Sequence, residues 1–148
     1  MAQHQQDHTV VVCESGRGHY QQTVLVGKHH LIADEPIALG GSDAGPAPMD
    51  LLLAGLGACT SITLRMYADR KNIPLTGVNV ELTHGRVETD GHAKQDLISR
   101  KITLQGDLTT EQRRNLLAIA NKCPLHRTLQ AGIRIESELL NAAVASVD

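Results

Sequence analysis

Five residues raise a question of chemistry: three cysteines, an arginine held between glycines, and an aspartate at a helix start. Cys59 sits in the apolar run Leu51-Leu52-Leu53-Ala54-Gly55-Leu56-Gly57-Ala58-Cys59-Thr60. A free thiol there is either a small buried hydrophobe or a nucleophile. As a nucleophile it needs a cation close by, since the thiolate is the reactive form and a mid-helix position gains nothing from a helix N-terminus. Cys123 precedes Pro124, which suits the first position of a new helix. Its sulfur then faces the orphan N–H groups and the positive end of the helix dipole, which lowers a thiol pKa and leaves the group partly accessible. The plainer alternative is a break residue without chemistry.

Arg17 lies in Gly16-Arg17-Gly18, where it is either a solvated turn residue or a guanidinium turned inward to partner Cys59. Asp50 precedes Cys59 by nine residues, roughly 13 Å along the axis and about half a turn out of phase. An ideal helix puts the two on opposite faces. Asp50 therefore serves Cys59 only if Gly55 and Gly57 bend the helix, or if the cysteine belongs to a neighbouring copy. A first-turn acid also complements the dipole without any catalytic role. Cys13 ends a Val-rich strand and reads as packing. Among the eight histidines, His29 and His30 point to opposite faces of a strand, and the Cys123-x-x-His126 spacing has no second pair to complete a four-ligand site. No metal and no bound cofactor is expected.

The elements that must position these groups follow from periodicity and turn chemistry. Residues 9–13 and 19–26 read as a hairpin, 28–33 as a third strand, and 37–39 as a short extended piece. Pro48 opens a helix expected to reach about Asn72, where Pro74 disfavours its continuation. Apolar nearly all round, that helix should be buried nearly all round. Residues 78–84 alternate as a half-buried strand, 85–96 form a loop or the twisted ends of two strands, and 97–105 form another strand. Thr109 and Gln112 have capping-box spacing before a helix through Ala120, and a further helical piece follows Cys123-Pro124 to Ala131. Ile133, Ile135 and 137–139 are expected as a last strand. Strands segregated from helices predict an α+β fold with an antiparallel sheet.

The chain of 148 residues reads as one domain, with loose tails at 1–8 and 140–148. It has no Phe, no Trp and two Tyr, so a subunit interface is expected to supplement the core. Fourteen basic against 16 acidic side chains, without aromatic interleaving, argue against a nucleic-acid partner. Asp50 and Arg65 interrupt the best apolar run below the roughly 18–20 residues of a membrane span. The polar N-terminus lacks an apolar signal core, so the expected compartment is the cytoplasm, where thiols are normally reduced.

Gly40-Gly41, the segment from Gly45 through Cys59-Thr60, and Cys123-Pro124-Leu125-His126-Arg127-Thr128-Leu129 together resemble the OsmC/Ohr family of osmotically inducible and organic-hydroperoxide-resistance proteins. The resemblance spans roughly residues 9–139. It implies an intertwined homodimer whose antiparallel sheets wrap long central helices. It implies a thiol peroxidase in which Cys59 is the peroxidatic and Cys123 the resolving cysteine. By the same likeness Arg17 stabilises the thiolate, the sites lie at the dimer interface, and an external dithiol, by analogy a lipoyl group, is the reductant. The sequence departs from the pattern at Met49, where the hydroperoxide-specialised branch carries Glu and the nearest acid here is Asp50, and at Thr60, where a Phe is common. The Cys123-to-Leu129 stretch looks like a third branch of the family.

The expected function is a thiol-dependent peroxidase for organic hydroperoxides. The alternatives are a redox-sensing or small-molecule-binding protein without fast turnover, and a structural domain in which Cys59 only packs.

Overall fold

The computed structural model describes residues 9–140; the tails expected at 1–8 and 140–148 fall outside it, residue 140 apart. The β-branched N-terminal run builds a three-stranded antiparallel sheet in the order β1 (Val10–Glu14), β2 (Gln22–Val26), β3 (His29–Ala33), with Val12 opposite Val24 and Val24 opposite Leu31. A second antiparallel pair joins β4 (Gly77–Glu88) to β5 (Lys94–Gln105), placing Val80 opposite Ile102 and Leu82 opposite Arg100. The polar stretch 85–96 is thus the twisted end of this hairpin, closed by a Thr89–Ala93 turn with Gly91 and His92 at positive φ.

Between the two sheets in chain order comes α1 (Pro48–Arg70), which packs on β4. Pro48 fits the first turn because its missing N–H is not needed there. The Asp50 carboxylate accepts from the Ala47 N–H at 3.1 Å, so the acid caps the helix as well as meeting its dipole. At the far end Asn72 takes a left-handed conformation, φ 52°, and the chain leaves the helix before Pro74. The next helices are α2 (Thr110–Ala120), opened by the Thr109–Gln112 capping box, and α3 (Pro124–Ala131).

Four expectations are corrected. Residues 37–39 form a 3-10 turn rather than an extended piece, since the Gly40 N–H reaches back to the Ile37 carbonyl. The expected strand at 133–139 is absent; this segment pairs with no described strand. Nor is α1 buried all round: within the chain it buries only the stripe Leu56, Thr60, Leu64, Ala68, one residue per turn. Ile62 and Met66 remain 54% and 62% exposed. By length and composition α1 does reach a bilayer span, contrary to the reading of Asp50 and Arg65 as interruptions. Its packing against β4, α2 and α3 makes it the core helix of the fold instead.

The core lies under the second half of α1. Leu64, Ala68, Leu75, Leu116 and Ala120 form it, with Ile102 and Leu104 of β5 packed against them. Gly57 marks the close approach of α1 to β4, because a Cβ there would lie 2.8 Å from Leu82 Cδ1. This places the middle of α1 directly over the strands.

The segment leading into α1 is organised by Asp34, just after β3. Its buried carboxylate accepts backbone N–H groups from Glu35 (2.8 Å), Ala44 (3.1 Å) and Ser42 (3.2 Å). The Ala44 N–H first, then those of Glu35 and Ser42, hold its pKa below the ordinary 3.8 against the opposing effect of burial. A depressed carboxylate pKa stabilises the fold above the unfolded value and loses that contribution as pH falls through the folded one. Asp34→Ala is therefore expected to melt at lower temperature than wild type at pH 7. The gap should close as pH is taken below 3.8. A gap independent of pH would remove the carboxylate from this role.

Candidate active site at the start of α3

Cys123 stands at the N-cap of α3 with extended backbone, φ −60° and ψ 142°, and Pro124 occupies the first helical turn. Its sulfur accepts from the His126 N–H at 3.3 Å. The local reading of Cys123-Pro124 as a helix start thus describes the backbone. The expected partial access does not hold: Cys123 is 0% exposed, because α1 lies across it.

From that helix Cys59 projects to the same place. The Leu125 N–H of α3, the Thr63 hydroxyl and the Cys123 thiol all bear on the Cys59 sulfur. Both sulfurs therefore meet the unpaired N–H groups at the amino end of one helix. Cys59 is half-buried, and both cysteines are free.

The surroundings shift the two thiols in opposite directions, with Cys123 lowered as its place at a helix start implies. Burial pushes the Cys59 pKa up, and the neighbouring Cys123 pushes it further, against the lowering effect of the Leu125 N–H and Thr63. For Cys123 burial also acts upward, but the His126 N–H, the Cys59 thiol, the Thr60 hydroxyl and the Arg100 charge together bring it below the usual thiol value. Two neighbouring thiols carry one negative charge more readily than two.

Arg100 was not singled out by spacing or motif. Its Nη1 donates to Thr60 Oγ1 at 2.8 Å and its Nη2 to Asn121 Oδ1 at 2.9 Å. A signal was present: Ile98, Arg100, Ile102 and Leu104 are the half-buried phase of β5, and Ser99, Lys101, Thr103 and Gln105 the exposed one. A charge on the inward phase of an alternating strand needs a built partner. Thr60 is fully buried, donates to the Leu56 carbonyl at 2.7 Å, and lies 4.0 Å from Cys123 Sγ. An open groove of about 920 Å³ borders Arg100, Asn121, Leu56, His126, Leu52 and Met49; neither cysteine lines it.

The remaining sequence candidates lie elsewhere. Arg17 is exposed in the turn between β1 and β2, its N–H bonded to Ser15 Oγ at 3.1 Å, and it is not among the groups acting on either thiol of its own chain. Asp50 is exposed at the helix cap and likewise does not act on them. Cys13 is half-buried in β1. No group of three metal-ligating side chains occurs among the described residues.

The model of the OsmC-like protein family matches residues 40–138, which includes both thiols and Arg100. Among solved structures, an OsmC-like protein from Mycoplasma pneumoniae aligns with a TM-score of 0.69 at 20% identity, over 85% of this chain and 89% of that one. An organic hydroperoxide resistance protein OsmC from Legionella pneumophila aligns at 0.58 and 22% identity, over 81% and 88%. One from Elizabethkingia anophelis with thiocyanate bound aligns at 0.57 and 21%, over 81% and 86%. At these identities the likeness is one of fold. Comparison with curated proteins gives no match.

Proposed function

The chain belongs to the OsmC-like protein family, and from that premise we propose that it is a thiol-dependent peroxidase acting on organic hydroperoxides. The observation that carries this reading is the meeting of Cys59 and Cys123, far apart in sequence, at one helix N-terminus, with one sulfur half-accessible and the other enclosed. Cys59 supplies the nucleophilic sulfur. It attacks the terminal oxygen of the hydroperoxide, the O–O bond breaks, and Cys59 becomes a sulfenic acid while the alkoxide leaves and is protonated to the alcohol. Cys123 then displaces the hydroxyl of the sulfenic acid as water, giving the Cys59–Cys123 disulfide. An external dithiol, a lipoyl group by analogy, returns both thiols by exchange and leaves as its own disulfide.

Cys59→Ser is expected to lose steady-state turnover of cumene hydroperoxide with a dithiol reductant. Rates equal to wild type would overturn the proposal. Oxidation of wild type once per chain, with no further turnover, would identify a redox sensor instead.

The working unit in this reading is a homodimer. Supporting it are the apolar side chains left in water by the single chain: Ile62 and Met66 on α1, and Val10, Val12, Leu31 and Ile32 on the first sheet. Exposed apolar area of this extent marks an interaction surface. A second copy also gives Arg17 and Asp50 their only route to the thiols, Arg17 to steady the thiolate and the leaving oxygen. Sedimentation is expected to give twice the 15.9 kDa chain mass, and Ile62→Glu to shift the population towards single chains. A monomeric wild type would rule out the dimer and the role of Arg17 together.

A further inference from the structure

Arg100 is a half-buried cation whose two partners are both neutral. Its Nη1 donates to Thr60 Oγ1 and its Nη2 to Asn121 Oδ1, and it pairs with no carboxylate among the described residues. A guanidinium carries five N–H donors, so three remain after these two bonds. The bonds reach α1 on one side and the C-cap of α2 on the other, and together they fix the plane of the group. A charge drawn partly out of water is costly until an anion meets it. Arg100 borders the open groove of about 920 Å³, a volume within the range of small-molecule sites.

The rest of the groove restricts which anion that is. Met49, Leu52 and Leu56 stand three and four residues apart on α1 and so present one apolar face to it, and Leu129 of α3 adds to that wall. On β5, residues 96, 98 and 100 share one phase of the strand and all border the groove. Ile98 therefore lies between Arg100 and Asp96, whose positions are four residues, roughly 13 Å, apart. At that far end the charges are already matched. Asp96 Oδ1 meets His84 Nε2 at 2.8 Å and Arg86 Nε at 3.4 Å. The groove thus has an unmatched cation at one end, an apolar stretch, and a matched cluster at the other end. This pattern is complementary to a ligand with a single compact anionic head and an apolar tail of medium length.

We propose that this groove is a binding site for a medium-chain amphipathic carboxylate, with its head on the free N–H groups of Arg100 and its alkyl tail along Met49, Leu52, Leu56 and Leu129. A carboxylate suits the head position because its two oxygens match two N–H groups of a planar guanidinium. The ligand is held and not consumed, since neither cysteine lines the groove. The site is independent of the peroxidase reading.

The test is calorimetric binding to the reduced full chain, without peroxide, with octanoate, 1-octanol and acetate as probes. Octanoate is expected to bind about tenfold or more tighter than 1-octanol, the scale of a hydrogen bond to a charged group. Acetate, a head without a tail, should not bind measurably. From hexanoate to octanoate the affinity should rise about two- to fourfold per methylene. Arg100→Met should abolish the preference for acid over alcohol, and Arg100→Lys should keep part of it. Arg86→Met should leave the preference unchanged, because that charge is already matched by Asp96. Leu52 is 38% exposed, so Leu52→Asp is compatible with the fold; it should weaken octanoate more than 1-octanol, and it carries the test if Arg100→Met does not fold. Octanol bound as tightly as octanoate, or a preference removed by Arg86→Met and not by Arg100→Met, overturns the proposal. So does a wild type that binds neither, the result expected if a second copy fills the groove. Binding as expected without cumene hydroperoxide turnover would leave this site standing and remove the peroxidase reading; turnover without acid binding would do the reverse.

Discussion

Cys123→Ser is expected to be oxidised once by an organic hydroperoxide and then to stop. The half-exposed Cys59 keeps its place on α1 and its contact with the start of α3, so attack on the peroxide remains possible. No second thiol is present to condense with the sulfenic acid, so dithiol-driven cycling must proceed by direct reduction of the sulfenic acid, and over-oxidation competes with it. Steady-state turnover should fall well below wild type after the first oxidation, and mass spectrometry should find sulfenic or sulfinic acid at Cys59. A variant that cycles at the wild-type rate would show that Cys123 does not resolve the sulfenic acid. An Arg17→Ala comparison separates the two cations, since Arg17 touches neither thiol within its own chain while Arg100, bonded to Thr60, bears on Cys123.

Leu64→Ala is expected to give the largest loss of stability among single apolar truncations. Leu64 is 0% exposed, one turn below Thr60, and packs in the core with Ala68, Leu75, Leu116 and Ala120. Two of those neighbours are already alanine and cannot grow to fill the space. Truncating a buried leucine costs about 2–5 kcal/mol, the upper end applying where the site cannot collapse. For a chain of this size the melting temperature should fall by on the order of 10 °C. Because the cavity would open under the stripe that carries Thr60, the Arg100 hydrogen bond should loosen as well, and the Cys123 titration midpoint should rise. Leu64→Met, which keeps volume, is expected to cost less than about 1.5 kcal/mol. A Leu64→Ala protein with unchanged melting would place the stabilising core elsewhere, in the subunit interface.

Much of the architecture was legible along the chain because its causes are local. Alternation placed β4 and β5, the Thr109–Gln112 box placed the start of α2, and Pro124 placed the start of α3 with Cys123 as its cap. Pro74 and the Asn72 turn ended α1 close to where the sequence predicts. The expected last strand failed for the complementary reason: Ile133 and Ile135 alternate, but no described strand pairs with them, and alternation without a partner does not make a strand. The role of Asp34 is not visible in the sequence because the N–H groups it binds, up to ten residues away, are brought to it only by the folded loop.

The sequence by itself determined that Cys59 sits in the central helix and Cys123 at a helix start, because helix periodicity and proline geometry act over a few residues. Which donors and which cation surround each thiol, only the tertiary structure decided. A thiol pKa depends on burial and on donors converging through space. Here those donors come from α1, β5 and α3, across sequence separations of 40 residues for Arg100–Thr60 and 63 for Thr60–Cys123. No local pattern carries that information. Thr60, a departure from the family pattern when read in sequence, becomes the link between Arg100 and Cys123 when the chain is folded.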